Sequence, residues 1–133
     1  MLPSITGKNS FQEKVTEILD FFKKYWIFSV IFHLIFALSL PIVIPFVFGN
    51  TYSESIIICQ ILVLGSLFVN AKTVLGGGIM GMGFPAIMSY VEFSGMIISL
   101  TFSILLLKMF GLIGISTAIA FSCFSQFLLL LFF

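Results

Sequence analysis

Polar residues crowd the first two dozen positions. Beyond them the chain is a series of apolar runs parted by short breaks rich in glycine, proline and polar side chains. A helix needs about 20 apolar residues to cross a hydrocarbon core of roughly 30 Å. Four runs reach that length, at about 25–48, 55–79, 86–107 and 112–133. The pattern predicts an all-α fold: an integral membrane four-helix bundle preceded by a short amphipathic helix, cytoplasmic or interfacial, within residues 1–24. Two domains follow from it, the amphipathic segment 1–24 and the four-span transmembrane domain 25–133.

Residues 1–9 form a polar lead, and Ser10 with Glu13 fits a capping box that starts the first helix. Phe11, Val15, Ile18, Leu19 and Phe22 then recur on one helical face, with Gln12, Glu13, Lys14, Glu17 and Asp20 off it. Such a stripe serves a helix packed on its neighbours or one lying in the membrane interface. Lys23, Lys24, Tyr25 and Trp26 mark a boundary, where lysines and amphipathic rings sit at headgroup depth. A polar start before the first apolar run, with no small-residue cleavage site, is unlike a signal peptide.

Pro41 and Pro45 lie near the far end of the first span. Each lacks a backbone donor, which predicts a kink or a loosened turn. Turns are expected at 49–54, 81–85 and 108–111. Gly76, Gly77 and Gly78 make poor helix and permit a bend or close contact. In lipid, helices associate through small and polar side chains. Gly95, Ser99 and Ser103 form such a face on the third span. Gly111, Gly114, Ala118, Ser122 and Ser125 form one on the fourth.

Composition strengthens the membrane reading. Of 133 residues, 60% are hydrophobic and 8% charged, against about a quarter charged in soluble domains. The net charge is +1. With lysines but no arginine, nucleic acid is not an expected partner. Lys8, Lys14, Lys23 and Lys24 precede the first span, and Lys108 lies in the third break. The positive-inside rule then places both termini in the cytoplasm of a multi-pass protein of the cell membrane. Cys59 and Cys123 sit inside apolar runs and read as small hydrophobes, not as a disulfide or a metal motif. No cofactor or metal is expected, and polar residues are too sparse for a catalytic constellation, so the chain reads as no enzyme.

Two charges interrupt the spans. Lys72 and Glu92 each lie about ten residues from the turn near Met82 and Gly83, hence roughly 15 Å deep. In antiparallel neighbours they come within salt-bridge range. Intramembrane charges are costly and point to function. They form either a structural ion pair or part of a polar pathway for a charged substrate or a proton. His33 lies about 12 Å into the first span. It reads as a hydrogen-bonded interior histidine, with proton coupling the sharper alternative.

The stretch Pro41 to Ile56 resembles the P-x-I-x-x-x-F-G-x-x-Y signature of polysaccharide biosynthesis membrane proteins. These are the O-antigen-type flippases of the multidrug/oligosaccharidyl-lipid/polysaccharide exporter superfamily. Gln60 to Gly65, the turn Gly81 to Pro85, the run Phe110 to Ala120 and the Leu2 to Ile5 segment resemble further motifs of that family, in the same order. The resemblance implies movement of lipid-linked oligosaccharide or polysaccharide units by alternating access between two helical lobes. Such a pathway would engage membrane lipid and an anionic substrate. Lys72, Glu92 and His33 are the pathway candidates, chosen for depth and face. The chain would supply only the last four helices of one lobe, most like the C-terminal one. Further transmembrane helices, from another chain or from a missing N-terminal portion, are therefore implied. A fragment, a split subunit and a degraded gene all fit. Two other functions compete: a small four-helix multidrug-type exporter acting as a dimer, and a non-transporting accessory membrane subunit.

Overall fold

Residues 11–132 are described by the computed structural model, which is helical almost throughout. Helix α1 is Phe11–Phe48, followed by a single 3-10 turn at Asn50–Tyr52. Helix α2 is Ser55–Gly81 and helix α3 is Pro85–Phe132. All three are long and apolar enough to cross a membrane. The polar lead, the capping serine Ser10, Lys8, the Leu2 to Ile5 segment and Phe133 lie outside the described residues.

No separate amphipathic helix precedes the first span among the described residues. Residues 11–48 form one helix of 38 residues, because the join at Lys23 to Trp26 contains no glycine or proline to break it. At 1.5 Å per residue its length is about 57 Å, well beyond the roughly 30 Å core. Part of the apolar stripe packs on the bundle, while Leu19 is exposed. Ile18 is buried in a cluster with Leu75, Val91 and Leu130. Trp26 stacks on Phe127 with ring centroids 5.7 Å apart, and Phe22 stacks on Trp26 at 5.5 Å.

Pro41 and Pro45 do not end α1, which stays helical through both. Pro41 has no N–H for the carbonyl of Ala37, one turn back. The side-chain amide of Gln60, reaching from α2, donates to that carbonyl at 3.2 Å. The carbonyl that Pro41 leaves without its helical donor is thus met by a neighbour's side chain.

The break anticipated at 108–111 falls inside α3, where Gly111 has φ 58° and ψ −136°. A side chain is strained at that backbone position, and only glycine adopts it freely. The chain folds back there. The hydroxyl of Ser122 donates to the Gly95 carbonyl at 2.7 Å although they are 27 residues apart, a span of about 40 Å along a straight helix. Residues 85–110 and 112–132 are therefore two antiparallel arms. They approach closely enough that a Cβ on Gly114 would collide with the Leu106 carbonyl. Gly111 itself faces open space and is the pivot of the fold-back, not one of its packing residues.

Helix α2 packs on α1 and on both arms of α3, and α1 also touches the second arm through Phe22 and Trp26 on Phe127. The glycines of α2 make this possible. A Cβ on Gly78 would lie 2.8 Å from Ile18 of α1, and one on Gly76 would displace the Met88 side chain of the first arm. A Cβ on Gly65 would sit 3.1 Å from the Ala120 Cα of the second arm. The glycine run stays helical and serves close contact.

These contacts separate two glycines that look alike in sequence. Gly111→Ala should lower stability by about 1–3 kcal/mol, through strain at the pivot. Gly77→Ala, with nothing near its Cβ position, should be neutral or stabilising by up to about 1 kcal/mol. Reversible unfolding in mixed micelles reads both, and equal losses would contradict the assignment.

Candidate functional site

The site is built where α2 meets the two arms of α3. Lys72 lies nine residues before the end of α2 and Glu92 seven residues after the start of α3, about 10–14 Å inside the bundle by helical rise. The turn through Met82 and Gly83 makes the two elements antiparallel, which levels the residues. The Lys72 ammonium donates to Glu92 Oε1 at 2.7 Å and to Gln126 Oε1 at 2.5 Å. One cation thus joins α2 to both arms. The Lys72 side chain is 9% exposed and that of Glu92 is 55% exposed. The pair is buried at its positive end and open at its negative end.

Gln126 is held in place by what the neighbouring arm lacks. Its side-chain amide occupies the space that a Cβ on Gly95 would need. The Ser122 hydroxyl, one turn earlier, pins the same residue's carbonyl. Gly95, Ser122 and Gln126 form one small, polar seam between the arms. Beside it runs an open groove of about 280 Å³, lined in part by Glu92, Met96, Ser99, Ile119 and Cys123. A lysine ammonium has three donors, and two are bonded here. The carboxylate has a second oxygen, Oε2, that no described residue bonds. The groove therefore offers a donor and an acceptor side by side.

His33 is not part of this cluster. Its Nδ1 lies 2.7 Å from the Ser29 carbonyl, which can only accept, so Nδ1 carries the proton. Nε2 then accepts from the side-chain amide of Asn70 at 3.2 Å. The histidine thus links α1 to α2. Asn70 and Lys72 are two residues apart and so lie on nearly opposite faces of α2. A separate groove of about 230 Å³ borders His33, walled by Tyr25, Phe28 and Phe32.

Among the packing residues named from sequence, Gly95, Gly114 and Ala118 are buried, while Ser99 and Ser103 are half-buried. Sequence reasoning passed over Gln126 and Asn70 as site residues. For Gln126 a signal existed: it follows Ala118 and Ser122 at successive intervals of four, extending the small-residue stripe. Among the described residues no group of three or more His, Cys, Asp or Glu is placed to hold a metal.

No family model matches the chain, and no solved structure matches it. The chain is similar to an uncharacterized membrane protein of Methanocaldococcus jannaschii, with 29% identity over 105 residues. The match covers 77% of this chain and 25% of the archaeal protein, so the chain spans about a quarter of the relative's length. Three apolar helices and this relative identify the chain as an all-helical membrane protein.

If the pair is a direct contact, its members must be energetically coupled. Lys72→Met and Glu92→Leu should each destabilise the protein. The double variant should lose less than their sum, with a coupling of about 0.5–3 kcal/mol. A thermodynamic cycle on micelle unfolding measures this, and additive losses would mean that the pair contributes nothing.

Proposed function

We propose that the chain is the membrane-embedded portion of a transporter, a flippase that moves lipid-linked oligosaccharide or polysaccharide units in cell-surface glycan assembly. It has no catalytic role of its own. The observation that supports this most is the cluster of Lys72, Glu92 and Gln126 opening on a groove within an otherwise apolar bundle. Ionisable groups at such depth characteristically line substrate or ion pathways. A lysine with an unfilled donor suits an anionic or hydroxyl-rich headgroup crossing between leaflets. The motifs around Pro41, Gly81 and Phe110 that resemble polysaccharide flippases point to the same substrate class.

In this reading each arm of α3 crosses the bilayer, giving four crossings with α1 and α2. The start of α1 and the end of the second arm then lie towards one membrane face, which the lysines suggest is the cytoplasmic side of the cell membrane. The groove forms one wall of the pathway. Membrane lipid and helices beyond this chain supply the remainder, in keeping with the much longer archaeal relative.

Cells deleted for the protein test the reading. Lipid-linked glycan reachable by lectin on the outer leaflet should fall at least about tenfold on deletion, a change worth roughly 1.4 kcal/mol or more in effective barrier. The wild-type gene should restore it, and Lys72→Gln should not. Unchanged outer-leaflet glycan after deletion, or full rescue by Lys72→Gln, would refute the transport role.

A further inference from the structure

The contacts between helices fix which residues lie at one level of the bundle. Ile18 of α1 shares a buried cluster with Leu75 and faces Gly78 of α2, and Gln60 of α2 bonds the Ala37 carbonyl of α1. One antiparallel register satisfies both contacts, and it sets Lys23 and Lys24 level with Lys72. Trp26 marks the same level against the second arm, since it stacks on Phe127, the neighbour of Gln126, with ring centroids 5.7 Å apart. The lysines and rings that close the polar start of α1 therefore stand level with the Lys72, Glu92 and Gln126 cluster.

Lysines and amphipathic rings of this kind sit at headgroup depth. The remaining charges agree. Between Glu54 and Lys72 on α2, and between Glu92 and Lys108 on the first arm, no side chain is charged. At 1.5 Å per residue these two stretches are about 24–27 Å long, close to the roughly 30 Å of a hydrocarbon core. Hydrocarbon reaching further, to the turn at Gly83, would immerse the exposed side chains of Asp20, Lys23 and Lys24, and exposed charges in hydrocarbon are costly.

At this level the groove beside the ion pair meets the headgroups. Lys72 borders it with two of its three donors bonded, to Glu92 and to Gln126. Glu92 Oε2 is bonded by no described residue, and the carboxylate is the exposed end of the pair. The pair is neutral as a whole, so it calls for neither a lone anion nor a lone cation. A zwitterion answers both free positions at once, with an acceptor for the ammonium and a donor for the carboxylate. From there the groove runs between the two arms towards the Gly111 end, along Met96, Ser99 and Ile119. That direction leads into the hydrocarbon, where an acyl chain would lie.

We propose that the bilayer surface runs at the level of the Lys72–Glu92 pair and that the groove there holds a zwitterionic aminophospholipid. Its phosphate accepts from the third Lys72 N–H, its ammonium donates to Glu92 Oε2, and one acyl chain lies along Met96 and Ile119. The inference does not rest on transport, because it concerns a resident membrane lipid.

Two measurements on the purified full chain test it. Trp26 is the single tryptophan, so its fluorescence in bilayers reports the level without any substitution. Lipids brominated near the glycerol end of the acyl chain should quench it more than lipids brominated near the chain middle. The reverse order would place the cluster deep in the membrane and overturn the proposal. In detergent micelles, added phosphatidylethanolamine should raise the thermal midpoint by about 5 °C or more. Phosphatidylcholine, whose quaternary nitrogen has no N–H, and phosphatidylglycerol, which has no cation, should each give less than about half of that shift. Glu92→Gln leaves the Lys72 charge uncompensated and should turn the preference to phosphatidylglycerol. Met96→Trp, at an exposed position outside the ion pair, should fill the groove and abolish the lipid response while leaving the lipid-free midpoint unchanged. Equal shifts with the three lipids, no shift, a preference for phosphatidylethanolamine kept by Glu92→Gln, or a response that survives Met96→Trp would each overturn the proposal.

Discussion

An ammonium group inside a lipid-spanning bundle must find its acceptors in protein, and Lys72 finds them only because three chain segments converge on it. Glu92 comes from one arm of α3, Gln126 from the other, and Lys72 from α2 between them. Much of the close packing serves that convergence. Gly95 leaves room for the Gln126 amide, Gly114 lets the arms close, and Gly65 and Gly76 let α2 settle against both. Leaving a buried charge without a partner costs far more than an ordinary contact gains. Each of these glycines therefore acts on the ion pair although none touches the charge by a side chain.

The same economy appears where α1 joins the bundle. Its proline removes a donor, and Gln60 restores one to Ala37. His33 offers an acceptor that Asn70 fills. Nearer the start of α1 the contact is aromatic, with Phe22 and Trp26 stacked towards Phe127. Lipid supplies no hydrophobic drive for helix association, so a few directional bonds and close contacts fix the register that water would fix by burial in a soluble protein.

Much of this was legible in residue order, and what was not has a physical reason. Long apolar runs announce membrane helices, because the bilayer imposes a minimum length. The approach of Lys72 to Glu92 followed from their equal distance from one turn. Local chemistry alone could not say that residues 24 and 25 belong to one helix, since a boundary signature of lysines and rings is compatible with a straight helix. Nor could it separate Gly111 from Gly114: one needs its unusual backbone angles, the other its lack of a side chain. Gln126 was hidden because its role depends on which side of α2 the second arm occupies, and only tertiary packing sets that. The partial exposure of Glu92 is likewise a property of the assembled face.

The account turns on a charged pair in direct contact between the helices of an apolar bundle. Solid-state NMR on protein in lipid bilayers, with labelled Lys72 Nζ and Glu92 carboxyl carbon, measures it most directly. A strong dipolar coupling between the two, as a 2.7 Å nitrogen–oxygen contact requires, with an ionised carboxyl shift for Glu92, is the predicted result. No coupling, together with a protonated carboxyl, would contradict the account.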